Sequence, residues 1–544
     1  MALRSEFGTK VRASGAGYRV PRAALLRVYD LVGDDADWST SARAILTELR
    51  RRRDAQVESA REIEIGQYKG VDDLSNLSFG LELAPHQRDA AMAIANAPEG
   101  VAIFDEQGTG KTFETLAGFA VMRARGVVDR ALVVAPKSVL TAWRDEAHRL
   151  LGPRTRAVVV GGNTRGRREL IRSPHDILIL NYEALVADER VLSLRLRAAR
   201  SRYLLVVDES FMVKNPSRLR SQAIARVRHE CLRAVVLSGT PAPNEPWDVV
   251  NQVTIADGGV SFGPAHRPAD RATARAAVVD GLARTPYLRR LKVDVAPDLP
   301  PQEFIEVRVP MELRQRDLYE RAARTLVLDV KTVSDAGFRR NLASYVARRA
   351  ALLQICSHPA AIDPNYAGVP AKLTFLDQFL EDRIVARGQK VVVWSWFRYS
   401  LAVLAERFAK YGVARIDGSV TETAVRADAI ARFQTDPSTR LFVGNPAAAG
   451  AGITLTAGRT AVYESMSNQA VHYMQSLDRI HRIGQAANVE YIVLLCDATV
   501  EVPEFERLRS KQRDARELLA DRWTEPESRL VFAREIEAGL SPRI

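Results

Sequence analysis

From about residue 80 to 250 the chain alternates short, continuously apolar runs with stretches of helical apolar spacing. The runs are Val101–Phe104, Ala131–Ala135, Ala157–Val160, Ile177–Leu180, Tyr203–Val207 and Ala234–Leu237. A strand with no polar alternate is covered on both faces, and helices between such strands make the sheet parallel. A second block of this kind runs from about 372 to 500, with Val391–Trp394, Arg415–Ile416, Leu441–Val443, Ala461–Tyr463 and Glu490–Leu495. Between the blocks, about 255 to 370, lies a Pro-, Ala- and Arg-rich stretch of mainly helical pattern. Ahead of them, Pro21 to Val32 has helical spacing, and Ser39 caps a segment running toward Arg61 through the basic run Arg50–Arg53. The pattern predicts an α/β chain with two parallel-sheet lobes: a helical accessory region (1–78), a first lobe (79–254), a helical inter-lobe region (255–370), a second lobe (371–523) and a tail (524–544).

At 544 residues the chain has material for several cores. Cys231, Cys356 and Cys496 are scattered, each in or beside an apolar stretch, so they read as buried small hydrophobes in a reducing compartment. The first residues show no secretory h-region and no stretch is long and apolar enough to span a bilayer. A cytoplasmic protein is expected, associated with the nucleoid if bacterial, with no membrane partner. His358 lies near Cys356, but no paired ligands accompany them, so zinc is not expected. Basic residues number 78 against 66 acidic, a net charge of +12 that suits a polyanionic partner or simply solubility. Arg greatly outnumbers Lys, which suits bidentate phosphate contacts.

The chemistry is concentrated in two places. Asp105-Glu106-Gln107-Gly108-Thr109-Gly110-Lys111-Thr112 follows the first strand and opens a helix, the context of a phosphate-binding loop. Gly108 and Gly110 let the backbone curl so that its amides face phosphate oxygens, and the helix N-terminus adds its positive end. Lys111 would meet the β- and γ-phosphates and the Thr112 hydroxyl would hold Mg²⁺. Asp105 stands where the usual pattern has its first glycine. The run Tyr203–Val207 ends in Asp208-Glu209, placed to hold Mg²⁺ and to orient and deprotonate an attacking water. Together these indicate nucleotide hydrolysis.

In their order, these motifs and others resemble the Swi/Snf (sucrose-non-fermenting) family of superfamily-two helicase-like ATPases, over roughly residues 80 to 510. Leu83-Ala84-Pro85-His86-Gln87 is similar to the family's adenine-reading segment, with Gln87 as the base contact, and the aspartate at position 105 is the family's own variant of the loop. Lys137, Ser138 and Trp143 fall in a motif that contacts a nucleic-acid strand. Asp208-Glu209-Ser210-Phe211 with Lys214-Asn215-Pro216 resembles the acidic box, with Phe211 where histidine is usual; that puts the coupling of hydrolysis to the inter-lobe cleft in question. Ser238-Gly239-Thr240-Pro241, with Asn244 beyond, matches the coupling motif. Arg289-Arg290-Leu291-Lys292, Leu299-Pro300 and Leu353–Pro359 resemble inter-lobe landmarks. In the second lobe, Ser395, Asp417-Gly418-Ser419, Arg426 and Gly450–Thr456 resemble further motifs, Thr454 replacing the usual asparagine. Gln475–Gln485 contains Arg479 and Arg482, three apart on an expected helix and thus on one face. Thr499–Glu501 and Lys511 fit a C-terminal brace, whose helix Pro503 is expected to break or delay.

The resemblance implies two RecA-like lobes, ATP and Mg²⁺ as cofactors, and double-stranded DNA as the track. The nucleotide-binding residues are Gln87, Gly108, Thr109, Gly110, Lys111, Thr112 and Gln475, with Thr112 and Asp208 toward the metal. Lys111, Asp208, Glu209, Arg479 and Arg482 are expected to be catalytic, and Ser238, Thr240 and Phe211 to couple. Lys137, Ser138, Trp143, Ser395, Thr454 and Thr456 are expected to grip the nucleic-acid backbone without reading bases. A DNA-stimulated ATPase that translocates on duplex DNA, of a compact bacterial or phage-like form, is the leading expectation. The alternatives are a motor subunit of a defence, restriction or polymerase-recycling assembly with protein partners, and a non-hydrolysing nucleotide-dependent clamp.

Overall fold

The computed structural model describes residues 12–14, 17–70, 72–198, 202–242, 245–263, 266–420, 422–449, 453–467, 469–518 and 536. The expected tail thus lies outside the described residues except for Ile536. The chain divides into two compact units, the first running to Val295 and the second taking up the chain at Ala296.

Unit 1 opens with an antiparallel hairpin, β1 (Arg12–Ser14) and β2 (Gly17–Arg19), which the apolar pattern did not announce. The two expected helices follow at Leu25–Val32 and Thr40–Ile65. Ser39 caps the longer one by accepting the Ala42 amide at 3.3 Å, and Gly66 ends it in a left-handed conformation. Its arginine run is taken up within the protein: Arg51 pairs with Glu48, Arg52 with Glu99, Arg53 with Asp30, and Arg50 lies over the Tyr29 ring.

The sheet of unit 1 has seven strands: β3 (Gly100–Ile103), β4 (Arg130–Ala135), β5 (Ala157–Val159), β6 (Ile177–Asn181), β7 (Tyr203–Val207), β8 (Arg233–Leu237) and β9 (Tyr287–Leu288). Their order is β5-β6-β4-β7-β8-β3-β9, and every pairing is parallel. The absence of polar alternates in these runs has its cause here: successive residues enter two separate cores. Ala102, Leu132, Val134 and Leu205 pack into one, Val101, Ile103, Val133 and Leu204 into the other.

Unit 2 holds a six-stranded parallel sheet of β10 (Gln302–Val309), β11 (Val391–Trp394), β12 (Val413–Ile416), β13 (Leu441–Gly444), β14 (Thr460–Tyr463) and β15 (Val489–Cys496), in the order β10-β15-β14-β11-β13-β12. Its strands likewise feed two cores, Val392 and Phe442 on one face, Val391 and Val443 on the other. A helical subcore around Tyr319, Leu352 and Ile355 also takes in Cys356 and Cys496.

Two expectations need correction. The stretch 255–370 is not purely helical: β9 pairs with β3 in unit 1, and β10 pairs with β15 along eight residues in unit 2. The second has a half-polar pattern, Gln-Glu-Phe-Ile-Glu-Val-Arg-Val, because it is an edge strand with one exposed face. Pro503 does not break its helix, which runs Glu501–Leu518. It sits in the first turn, where its missing N–H has no intrahelical partner to lose.

Candidate nucleotide site and nucleic-acid contacts

Three adjacent strands of unit 1, β3, β8 and β7, deliver the site at their C-terminal ends, the usual ligand edge of a parallel sheet. β3 leads into the glycine loop, β8 into Ser238-Gly239-Thr240, and β7 into Asp208-Glu209.

In the glycine loop Gly108 and Gly110 have φ of +88° and +99°. At Gly110 a side chain would lie 2.2 Å from the Gln87 amide, so only glycine fits there. The amides of Gly108, Thr109, Gly110, Lys111 and Thr112 donate to no acceptor among the described residues. Five consecutive amides at a helix start form a nest for an anion. Lys111 opens the helix Lys111–Ala124 and its Nζ donates to the carbonyls of Asp105 at 2.9 Å and Glu106 at 3.1 Å. Burial lowers its pKa, opposed by the Glu209, Glu114, Asp105 and Asp208 carboxylates.

Asp208 Oδ2 accepts the Trp143 indole N–H at 2.8 Å, and Oδ1 accepts the Glu209 amide at 2.9 Å. Burial raises the Asp208 pKa, countered by the indole hydrogen bond and the Lys111 charge. A carboxylate whose charged form is so disfavoured is matched to a cation. Glu209 adopts φ +50°, rare for a residue with a side chain, and its Oε1 accepts from Gln107 Nε2 at 2.9 Å. Tyr182 donates from its hydroxyl to the Asp208 carbonyl. The free amides, Lys111, the half-buried Thr112 and the Asp208–Glu209 pair together fit a nucleoside triphosphate with its divalent cation.

Gln87 lies in the first turn of the helix Pro85–Asn96; its Oε1 accepts the Ala84 amide at 3.1 Å and its Nε2 donates to the Thr109 carbonyl at 3.2 Å. Its amide therefore ties the expected base-reading segment to the glycine loop. Ser238 Oγ accepts the Thr240 amide at 3.2 Å, while the buried Thr240 hydroxyl has no hydrogen-bond partner among the described residues. Asn244 lies outside those residues. Phe211 is half-buried in the turn Ser210–Val213. A connection from the acidic box to the coupling motif runs beside it: Ser210 Oγ donates to Gln252 Oε1 at 2.6 Å, and Gln252 Nε2 donates to the Pro241 carbonyl.

The expected nucleic-acid contacts divide. Lys137 and Ser138 are exposed in a turn just after β4. Trp143 is not a contact residue: it is 2% exposed and belongs to the Asp208 site. The reason lies in the helix Leu140–Leu151, where Leu140, Trp143, Ala147 and Leu150 share the buried face. Ser395 is also withdrawn from any surface, donating to Glu464 Oε2 at 2.7 Å because it continues β11 into the interior.

In unit 2 the helix Ala470–Leu477 ends before Arg479 and Arg482, so the two arginines occupy turns rather than one helical face. Arg479 is buried, its Nε donating to the Gln475 carbonyl at 2.6 Å and Nη1 to the Ile453 carbonyl at 3.2 Å. It braces the glycine-motif segment. Arg482 is half-buried and donates from Nη1 to Thr454 Oγ1 at 3.2 Å; Thr456 Oγ1 accepts from Gln434. Gln475 is buried. Gly450–Gly452 lie outside the described residues.

A buried polar network was missed in the sequence. Ser357 Oγ donates to Glu464 Oε1 at 2.6 Å, and Lys372 Nζ donates to the Glu464 carbonyl and to Glu501 Oε1, both at 2.6 Å. Burial works to lower the Lys372 pKa, but Glu501, with lesser help from neighbours including Glu464, raises it overall. The ligand atoms of Cys356, Cys496 and Glu501 lie within 4.8 Å of one another. Lys372 already supplies the positive charge at that carboxylate, and burial lifts the Cys356 thiol well above its ordinary range. The lone lysine in an apolar helix start was the only signal.

Among known proteins, the model of the SNF2-related domain matches residues 86–361, and that of the helicase conserved C-terminal domain matches residues 371–484. The chain is 28% identical to the ISWI chromatin-remodeling complex ATPase ISW1 of Saccharomyces cerevisiae, over 75% of this chain and 38% of that protein. It is 28% identical to the ATP-dependent DNA helicase DDM1 of Arabidopsis thaliana, over 75% of this chain and 58% of that protein. It therefore spans less than two thirds of either relative's length. A solved Sulfolobus solfataricus SWI2/SNF2 ATPase core in complex with dsDNA is similar at 22% identity and a TM-score of 0.37, covering 84% of this chain and 98% of that one. The SNF2-related match alone takes in just over half of the residues, and the second match follows it in order, so the chain belongs to the Swi/Snf family of superfamily-two helicase-like ATPases.

Proposed function

We propose that the chain is an ATP-dependent DNA motor, hydrolysing ATP to move along duplex DNA and so remodel protein–DNA complexes or the DNA itself. The observation that carries this reading is the row of five unengaged amides, Gly108 to Thr112, beside Lys111 and the half-buried Asp208–Glu209 pair. That arrangement cradles a triphosphate. Thr112 and Asp208 would hold Mg²⁺, which supplies neutralisation of charge on the β- and γ-phosphates. Lys111 exchanges the Asp105 and Glu106 carbonyls for phosphate oxygens. Glu209, its Oε1 already fixed by Gln107, orients the attacking water and accepts its proton. Arg479 and Arg482 remain the arginines proposed to be catalytic; Arg479 donates to the Gln475 and Ile453 carbonyls and Arg482 to Thr454 Oγ1. Lys137 and Ser138 offer backbone contacts to DNA from unit 1, and relatives named as chromatin-remodelling ATPases and as a DNA helicase support that substrate. The relatives' names as ATPases of complexes also support work alongside protein partners.

Phosphate release measured with and without duplex DNA tests the proposal. Wild type should be stimulated by DNA, Lys111→Ala should lose at least about a hundredfold, and Arg482→Ala about a thousandfold. DNA-independent turnover that survives both substitutions would overturn it.

A further inference from the structure

The aspartate in place of the first loop glycine has a dedicated partner. Asp105 has no exposed surface; its Oδ1 accepts the Arg290 amide at 2.9 Å, and its Oδ2 accepts Arg290 Nε at 2.9 Å and Nη2 as well. The remaining arm of that guanidinium, Nη1, donates to the His86 carbonyl at 2.6 Å and to Asp89 Oδ2 at 3.0 Å. A single side chain thus joins the glycine loop to the segment that carries Gln87.

Arg290 belongs to a longer seam. The Ala102 amide donates to the Pro286 carbonyl at 3.1 Å, Phe104 to Leu288 at 2.8 Å and Glu106 to Arg290 at 2.9 Å. The Lys292 amide donates to Glu106 Oε2 at 2.8 Å. Arg289 Nη1 donates to the Phe104 carbonyl and, at 3.1 Å, to the Gly239 carbonyl of the coupling motif. Strand-like pairing therefore continues past the end of β3 into the loop itself. Lys111 Nζ rests on the carbonyls of Asp105 and Glu106, the two residues this seam holds. The seam ends only three residues before Val295, where the chain leaves unit 1.

We infer that Arg290 is a positioning residue for the phosphates, acting through Asp105, and that the segment Pro286–Lys292 senses whether the loop is filled. This rests on the reading of the loop as a nucleotide site. A phosphate on the five amides draws Lys111 off the two carbonyls and leaves the seam, with the Arg290 and Arg289 side chains in it, as the tie that keeps the loop's entry in place. A diphosphate suffices, because the β-phosphate reaches Lys111; hydrolysis is not required.

The test uses the full chain, fluorescent mant-ADP with Mg²⁺, and amide hydrogen exchange. Arg290→Gln and Asp105→Asn should each weaken mant-ADP binding roughly tenfold, the scale of one hydrogen bond to a charged group, with Arg290→Lys between them and wild type. In wild type, ADP should slow exchange in a peptide covering 286–295, and Arg290→Gln should abolish that response. A purely structural arginine would lower the melting temperature but leave the dissociation constant and the ADP response intact. Wild-type affinity in both Arg290→Gln and Asp105→Asn overturns the inference. So does an exchange rate at 286–295 that ignores ADP in wild type, a readout that stands even if the variants fail to fold. If wild type binds mant-ADP and Lys111→Ala does not, the nucleotide-site reading holds whichever way Arg290 falls; if wild type binds none, that reading fails and this inference with it.

Discussion

Glu114 sits in the first turn of the helix Lys111–Ala124 with no exposed surface, and neither carboxyl oxygen has a hydrogen-bond partner among the described residues. Arg290 Nη2 approaches to 3.9 Å, too long for a hydrogen bond. Burial raises its pKa well above the ordinary glutamate value, and the Asp105 charge adds to the rise, against smaller pulls from Arg290 and Lys111. The folded protein therefore keeps this proton where the unfolded chain releases it. Its contribution to stability is whole below about pH 4.5 and drains away as pH climbs toward the folded pKa. Glu114→Gln, which has no proton to lose, should gain on wild type in melting temperature as pH rises above about 4.5; a difference that does not change with pH would mean the carboxyl is ionised in the fold. At the same scale, Trp143 and Asp105 show why a residue's type is an incomplete guide to its work. An indole in an expected nucleic-acid motif turns inward to the Asp208 carboxylate, and an acidic residue in the glycine loop is paired with Arg290, 185 positions away.

At the scale of elements, the C-terminal ends of β11, β14 and β15 meet around Lys372, which opens the helix Ala371–Leu380 with no exposed surface. The helix Leu342–Ser357 contributes Ser357, β11 leads to Ser395, β14 to Glu464, and the helix after β15 supplies Glu501. The network joins the segment Leu353–Pro359, an expected inter-lobe landmark, to the sheet of unit 2. Lys372→Met fits the space but leaves Glu501 buried without its cation, costing about 3–5 kcal/mol. Urea denaturation should show that loss, and Lys372→Met with Glu501→Gln should recover much of it. A single-variant loss below about 1 kcal/mol would mean water already serves the carboxylate. The strands themselves were legible because their apolar runs are uninterrupted: Tyr203–Val207 and Val391–Trp394 coincide with β7 and β11 residue for residue. β10 was not, because an edge strand with charged alternates has no such run.

For the molecule as a whole, the basic excess is spread thinly and much of it is consumed internally, as the arginines between 50 and 53 show. Binding to DNA under the proposed function then depends on a small set of exposed cations such as Lys137 touching phosphates, which carry no base information. Affinity for duplexes of unrelated sequence should be equal, and log K should fall linearly with log salt, with a slope of about −0.9 per phosphate neutralised. Lys137→Ala should make that slope about one unit shallower at every sequence; an unchanged slope would remove Lys137 from the interface. What the chain determined by itself is local and periodic: the strands, the glycine loop that opens a helix, the acidic pair at a strand end, and the family to which their order belongs. These are legible because steric rules and burial act on neighbours in sequence. Only the tertiary structure decided which groups are spent inside the protein, turning Trp143 to Asp208, Arg479 to the Ile453 carbonyl, Ser395 to Glu464 and Arg290 to Asp105. A buried polar group must find a partner wherever packing brings one within reach, and that distance is not written in the order of residues.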